Sequence, residues 1–490
     1  MPPFNLVFAP FRPLGTMGPL LALLAGPLLG QTASAPTGLE RRWLAGDHHI
    51  HSRYSVGYDE TTNPPKPLIG PPEGEPYPIP MNAAMARLFG LSWMVSTDHG
   101  GPNHSKVNLE KAYPELVQSR AAIPEVVQFY GMELNTPAAD HSSLIIPHSD
   151  HEHRMLHDIE SRYDKSEAFP RDAKRDTEEK MVEAVTYMDG LAPKPIVIAN
   201  HPARSAGGLG VYGNNQPGEF RQWNDAAPSV AVGMEGAPGH QAGAIKPDGS
   251  RDPEGHRGGY ARHPTMGGFD QMSARLGGLW DSLLGEGRRW WITATSDSHV
   301  NWRDGGNDFW PGEYAKTYVH AAKTHADILD GIRHGRVFVT TGDLVSELDV
   351  VATAGTAQAA IGGLLPLPGR SDVTVSIRVR DPAGKNHHGD SPAVARVDLI
   401  MGEMSGPVAD RAQDTNATTR VMKRFTSADW KKDGEDLTMT LTLPAVHHSG
   451  YLRVRGTNTS ELEPERDPPG EDPWSDLWFY SNPIFITLRP

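Results

Sequence analysis

Leu91-Ser92-Trp93-Met94-Val95-Ser96-Thr97-Asp98-His99 reads as a short buried strand that ends on an acid and an imidazole. The arrangement recurs along the first two-thirds of the chain. Val126–Met132 ends at Glu133, Pro195–Ala199 at Asn200-His201, Val230–Met234 at Glu235, and Trp290–Thr295 near Asp297 and His299. Each is an apolar run of strand length bounded by turn residues. Helical patterns lie between them. One covers Glu178–Asp189, with apolar Met181, Val182, Val185 and Met188, and stops at Gly190. Another uses Leu276, Leu279, Trp280, Leu283 and Leu284; a third starts near Thr324, uses Ile328, Leu329 and Ile332, and stops at Gly335. Alternating strands and helices imply an α/β fold with a parallel sheet, open or closed into a barrel. In such folds ligands bind at the carboxyl ends of the strands, where these polar residues stand.

From about residue 345 the pattern changes. Leu348–Ala352, Val373–Val379, Ala395–Ile400, Leu437–Leu443, Gly450–Gly456 and Asn482–Leu488 read as strands separated by Gly, Pro, Asn and Asp. An antiparallel β-sandwich over 345–490 is expected. Two inserts in the first domain, about 59–80 and 204–227, are rich in Gly, Pro and Asn, and long ordered loops on such a face usually carry function.

The chain of 490 residues is long enough for more than one domain, and 38% hydrophobic with 22% charged residues is ordinary for a protein with a sizeable core. A net charge of -14 disfavours nucleic-acid and anionic-membrane partners. With no cysteine, disulfides and zinc–thiolate sites are excluded, whereas the histidines number 22. Arg12 is the only charge before Glu40, and the apolar stretch Met17–Leu29 is too short for a good membrane span. With Ala33-Ser34-Ala35 as cleavage site, residues 1–35 read as a signal peptide, which implies a secreted or periplasmic protein with no stable membrane span after its removal.

Asp47-His48-His49-Ile50-His51 is the strongest local signal. Residues i and i+2 of a strand point to one side, so His49 and His51 can bind one metal together. His99 can bind a metal while Asp98 orients an imidazole from behind. Glu133 has two oxygens and can bridge two cations; His141 precedes a second apolar strand that returns to the same face. His201 is fixed by Pro202, and Asp297 and His299 repeat the i, i+2 spacing. Nitrogen and oxygen ligands without sulfur suit zinc, manganese or iron. Two or three divalent ions so held would lower the pKa of water and stabilise developing charge. No G-x-S-x-G, Walker or Rossmann motif is present.

The segments G-D-H-H-I-H-S-R-Y-S, S-T-D-H-G, G-M-E-L-N-T, A-N-H-P-A-R and T-S-D-S-H stand in the order of the motifs of the PHP (polymerase and histidinol phosphatase) family. Over residues 42–342 the chain resembles the secreted or periplasmic branch of that family, described as phosphoesterases and carbamate-type metallohydrolases. The resemblance implies a distorted (β/α)7 TIM-like barrel with a bi- or trinuclear site. It implies that His49, His51, Glu133 and Asp297 hold a first metal, His99 and His299 a second, and Glu133, His141 and His201 a third. Many members carry a further His or Asp five or six residues after H-x-H. Here Val56 and Gly57 stand there, and Asp59 is the candidate replacement.

Arg204 is the candidate to hold a phosphoryl oxygen, and His104 to protonate a leaving group. Glu235 is read as a metal ligand or a support behind one. His240, Arg257 and Arg262, in a glycine-rich loop, are read as structural, and the run His148, His151, His153, His157 as a solvated loop and helix start. The expected activity is hydrolysis of a small-molecule phosphate ester by a metal-activated hydroxide, a diester slightly favoured over a monoester. Two alternatives stand beside it. One is a carbamate, carboxyl ester or amide hydrolase with the same metals, favoured if Arg204 points away from the site. The other is a non-catalytic metal- or glycan-binding envelope protein.

Overall fold

The computed structural model describes residues 39–70 and 75–488; the signal-peptide reading of 1–35 lies outside them. The principal strands are β1 (Arg42–Asp47), β2 (Trp93–Ser96), β3 (Val127–Asn135), β4 (His141–Ile146), β5 (Ile196–Ala199), β6 (Ala231–Ala237), β7 (Trp291–Ala294), β8 (Ala315–Ala321) and β9 (Val337–Thr341). They lie in one sheet in the order β9-β8-β1-β2-β3-β4-β5-β6-β7. The β1–β2, β2–β3, β5–β6 and β6–β7 pairs are parallel.

The sheet is mixed rather than purely parallel. β4 runs antiparallel to both β3 and β5. The cause is the short link Thr136–Asp140, which allows a hairpin and leaves no room for the crossover helix that a parallel neighbour needs. The hairpin pairs Asn135 with His141 and so returns His141 to the end of the sheet where Glu133 stands. β7, at one end of this order, also approaches β1 and β8. Ile50 bridges Ser298, the His51 amide donates to the Ser298 carbonyl at 2.9 Å, and the Thr317 hydroxyl donates to the Ala294 carbonyl at 2.7 Å.

Close approach of β1 to β2 depends on Gly46, because a Cβ there would fall 1.9 Å from the Trp93 ring. The outer helices follow their sequence signals. The helix Glu178–Asp189 is capped by the Thr177 side chain, which accepts from the Lys180 amide, and it buries Met181, Ala184, Val185 and Met188. His325–Arg333 is capped in the same way by Thr324. The second insert is not all loop: it closes with the helix Pro217–Ala226, started by a Gln216/Glu219 capping box. Trp290 and Trp291 are core residues, 1% and 3% exposed.

Beyond residue 345, β10 (Glu347–Ala354), β11 (Ser371–Arg380) and β13 (Asp436–Val446) form an antiparallel sheet. A second set, β12 (Arg396–Glu403), β14 (Gly450–Thr457), β15 (Trp478–Ser481) and β16 (Ile484–Leu488), is joined to the main sheet through the antiparallel pairing of β15 with β9. The core therefore runs from one region into the other, with Trp478, Phe479 and Ile486 fully buried between them.

Candidate metal centre

Just past β1 the chain bends at His48 and is bridged again at Ile50, and its histidines part to two sides. His48 turns into the core, with Nε2 2.8 Å from the Thr293 hydroxyl. His49 and His51 turn to the other side. Asp47 holds the segment in place, accepting from the His49 amide at 3.0 Å and from the Ser296 amide at 3.0 Å. The end of β1 and the loop after β7 are thus tied by one carboxylate, which brings Asp297 against the two histidines.

Four side chains converge there. His49 Nε2 is 3.0 Å from His51 Nε2, 3.0 Å from Glu133 Oε1 and 3.1 Å from Asp297 Oδ1. His51 Nε2 is 3.2 Å from Asp297 Oδ1 and 3.6 Å from Glu133 Oε2. A tetrahedral shell with ligands at about 2.0–2.2 Å has edges of roughly 3.3–3.6 Å, so these spacings fit one divalent ion. Asp297 Oδ1 is buried and accepts no hydrogen bond, which leaves its lone pairs for a cation. Glu133 Oε1 also lies 3.1 Å from His141 Nδ1 and 3.2 Å from His201 Nε2, a second set that shares the same carboxylate. His51, His99 and His299 form a third group, with ligand atoms within 4.8 Å of one another.

The residues behind the ligands fix their tautomers. His49 Nδ1 donates to Glu235 Oε1 at 2.7 Å, which turns Nε2 toward the cluster, where the Asn200 side-chain amide also lies 3.3 Å from it. Glu235 also accepts from the His201 amide at 2.5 Å and the Thr295 hydroxyl at 2.7 Å, so it supports the ligands from behind. His51 Nδ1 lies 2.7 Å from the Ser55 hydroxyl, which donates to Asp98 at 3.0 Å. Asp98 thus reaches His51 through a serine; its other bonds come from the amide and hydroxyl of Ser52. Burial alone would raise both ligating carboxyls. The neighbouring His141 and His49 nonetheless hold Glu133 well below the usual carboxylate range, and His49, His240 and Arg204 do the same to Asp297.

Arg204 faces the centre: Nη2 donates to Asp297 Oδ2 at 2.8 Å, and Nε is buried without a partner. Two other expected residues stand elsewhere. His104 is buried with Nδ1 2.7 Å from Glu160 and Nε2 2.8 Å from the Tyr54 carbonyl. Both nitrogens already face acceptors within the protein, so its protons are held there rather than aimed at the cluster, and it pins loops together. Asp59 is mostly committed to its own turn, accepting from the Thr61 amide at 3.0 Å, and does not join the cluster.

Two residues read as structural or passed over belong to the centre. His240 Nε2 lies 3.1 Å from Asp297 Oδ2, and its Nδ1 pairs with Asp308. Asp308 Oδ2 accepts from the amides of His299 and Val300 at 2.7 and 3.0 Å, holding the loop that carries Asp297 and His299. His240 has a signal in hindsight, since it ends the Gly-Ala-Pro-Gly run that follows Glu235. Asp308, in Gly-Gly-Asn-Asp, has none. Glu75, from the first insert, is held above its usual range by burial, with His299 opposing the shift and Asp308, Asp98 and Asp297 adding to it.

Backbone strain gathers at the same place. Among the described residues, His201 (φ 28°), His240 (φ 55°) and Asp297 (φ 46°) are three of seven non-glycine residues with positive φ. Gly239 lets its loop lie flat on Asp297, because a Cβ there would come within 2.1 Å of the Asp297 Cβ. No family model matches the chain, and no curated protein matches it.

Proposed function

We propose that the chain is a metal-dependent phosphoesterase of the PHP type, with β1–β9 and their helices forming a distorted (β/α)7 barrel and two or three Zn, Mn or Fe ions held at its strand ends. His49, His51, Glu133 and Asp297 would hold one ion, Glu133, His141 and His201 another, and His99 with His299 would serve a third. Bound divalent ions supply a Lewis-acidic centre that makes water a nucleophile near neutral pH.

The observation that carries the phosphorus reading is Arg204. Its guanidinium reaches the cluster beside Asp297, is 22% exposed, and keeps donors free for a non-bridging phosphoryl oxygen. A carbamate or carboxyl ester has no such anionic oxygen in its ground state. The rim also favours turnover over mere storage of metal: the side chains of His99, His141 and His299 are 30%, 28% and 21% exposed, so a substrate can reach ligands whose partners are buried. No helix among the described residues is long and apolar enough to cross a membrane. The proposed location is the periplasm or the exterior.

The test is an assay of protein loaded with Mn, Zn or Fe against p-nitrophenyl phosphate mono- and diesters and p-nitrophenyl acetate. Phosphodiester turnover is expected, falling roughly a hundredfold in Arg204→Ala, the scale for losing one donor to developing anionic charge. Turnover of the acetate alone would overturn the phosphorus reading.

A further inference from the structure

His240 is built like His49. In His49, Nδ1 is engaged by a buried carboxylate, Glu235, and Nε2 faces Asp297 Oδ1 at 3.1 Å. In His240, Nδ1 is engaged by a buried carboxylate, Asp308, and Nε2 faces Asp297 Oδ2 at 3.1 Å. A carboxylate behind Nδ1 is the arrangement that fixes a ligating imidazole, because it sets the tautomer and raises the basicity of the other nitrogen. Asp297 is then flanked on both oxygens, as Glu133 is. The two imidazoles that border His240's side of the centre are close: its ring centroid lies 5.5 Å from that of His299, and candidate ligand atoms of His240, His299 and Asp308 fall within 4.8 Å of one another.

We infer that His240 is a metal ligand, and that with His299 and Asp297 it completes the third divalent-cation position, for which the residues after His51 supply no ligand. Val56 and Gly57 offer no donor atom there, and Asp59 does not reach the cluster. His240 arrives from a different element, the loop after β6. Its left-handed backbone (φ 55°) is shared with His201 and Asp297, both of which serve the other positions. Charge is adequate. Asp297 and Asp308 flank the position, against the single guanidinium of Arg204. Divalent Zn and Mn both accept a mixed set of imidazole nitrogen and carboxylate oxygen.

This inference rests on the metal-centre reading but can fail without it. Apo protein is loaded with Mn, freed of excess by gel filtration, and its metal content measured by mass spectrometry for the full chain, His240→Gln and His240→Ala. The expected result is a loss of about one equivalent in both variants, with the remaining ions retained. An anomalous difference map of Mn-loaded wild-type crystals should show a peak at His240 Nε2, and this readout needs no variant to fold. Equal stoichiometry in folded variants, or a map with peaks at Glu133 and none at His240, would overturn the inference and leave the phosphoesterase reading standing. A full set of peaks with no turnover of any phosphate ester would do the reverse.

Discussion

Around Asp281, in the helix Leu279–Gly285, both oxygens of a buried carboxylate are paired, although Nη1 of its partner Arg453 has none. Oδ1 accepts from Arg453 Nε at 2.9 Å and from the Tyr451 hydroxyl at 3.0 Å; Oδ2 accepts from Arg453 Nη2 at 2.7 Å and from the Gly277 amide at 2.7 Å. Around Asp297 the match is incomplete. Oδ2 has Arg204 and His240, whereas Oδ1 faces Nε2 of His49 and of His51 and accepts nothing. Both aspartates are about equally hidden, at 0% and 1% exposed. The difference therefore does not come from burial. The first site completes itself and joins the C-terminal region to the main sheet. The second keeps lone pairs and strained backbone in reserve, which is the state of a site shaped for something it binds.

The comparison is broken most sharply by the same change at both places. On the proposed function, Asp297→Asn should remove one ligand and lower phosphodiester turnover at least about a thousandfold, because the ions would act together on one water and one electrophile. Its unfolding free energy should move by less than that of Asp281→Asn, where a buried guanidinium loses its counter-charge at a cost of about 3–5 kcal/mol. Asp281→Asn should keep its metal content. Urea unfolding, metal analysis and the ester assay on both variants measure this. A stability loss at Asp297 equal to that at Asp281, with turnover intact, would erase the distinction.

A smaller effect sharpens the boundary between ligand and support. Glu235 touches no position where a cation would sit; it acts by holding His49 Nδ1 and the His201 amide. Glu235→Gln should weaken metal affinity about 10–100-fold, the scale for losing a partner behind a ligating histidine, without changing the number of ions bound at saturation. Competition titration with a chelator separates the two. A lower saturating stoichiometry would make Glu235 a ligand.

Much of the centre was legible because it obeys the strand-end rule. His49, His51, His99, Glu133, His201 and Asp297 all follow apolar runs, and their side of the chain is decided by residue parity. His141 needed one more step, the hairpin through Thr136–Asp140, which also makes β4 antiparallel. What was not legible lies in loops. His240 and Asp308 meet across 68 positions, in segments with no periodicity, and only packing shows that Gly239 sets His240 against Asp297. Asp59 and His104 fail for the opposite reason. Each has a nearby partner, Thr61 or Glu160, that satisfies it before the metal centre can.

His104 adds a case that lies between the two regions, and its effect should be the smallest. Both of its nitrogens face acceptors, Glu160 and the Tyr54 carbonyl, so both carry protons and the ring is a cation. Burial opposes the charge, but Glu160 outweighs it and the pKa is raised to about 9. The unfolded value is about 6.5, so the folded state binds the proton more tightly. The stability this gives, on the order of 3 kcal/mol, is fully present below about pH 6.5 and is lost as pH rises through about 9. Glutamine in its place has no such titration. The difference in unfolding free energy between the protein and His104→Gln should therefore be largest near pH 6 and shrink by pH 10, as read from urea curves at each pH. The pH dependence common to both proteins cancels in that difference. A gap that stays constant would mean that His104 is neutral when folded and binds Glu160 by a hydrogen bond alone, which would place it with the self-completing pairs such as Asp281 only in geometry and not in charge.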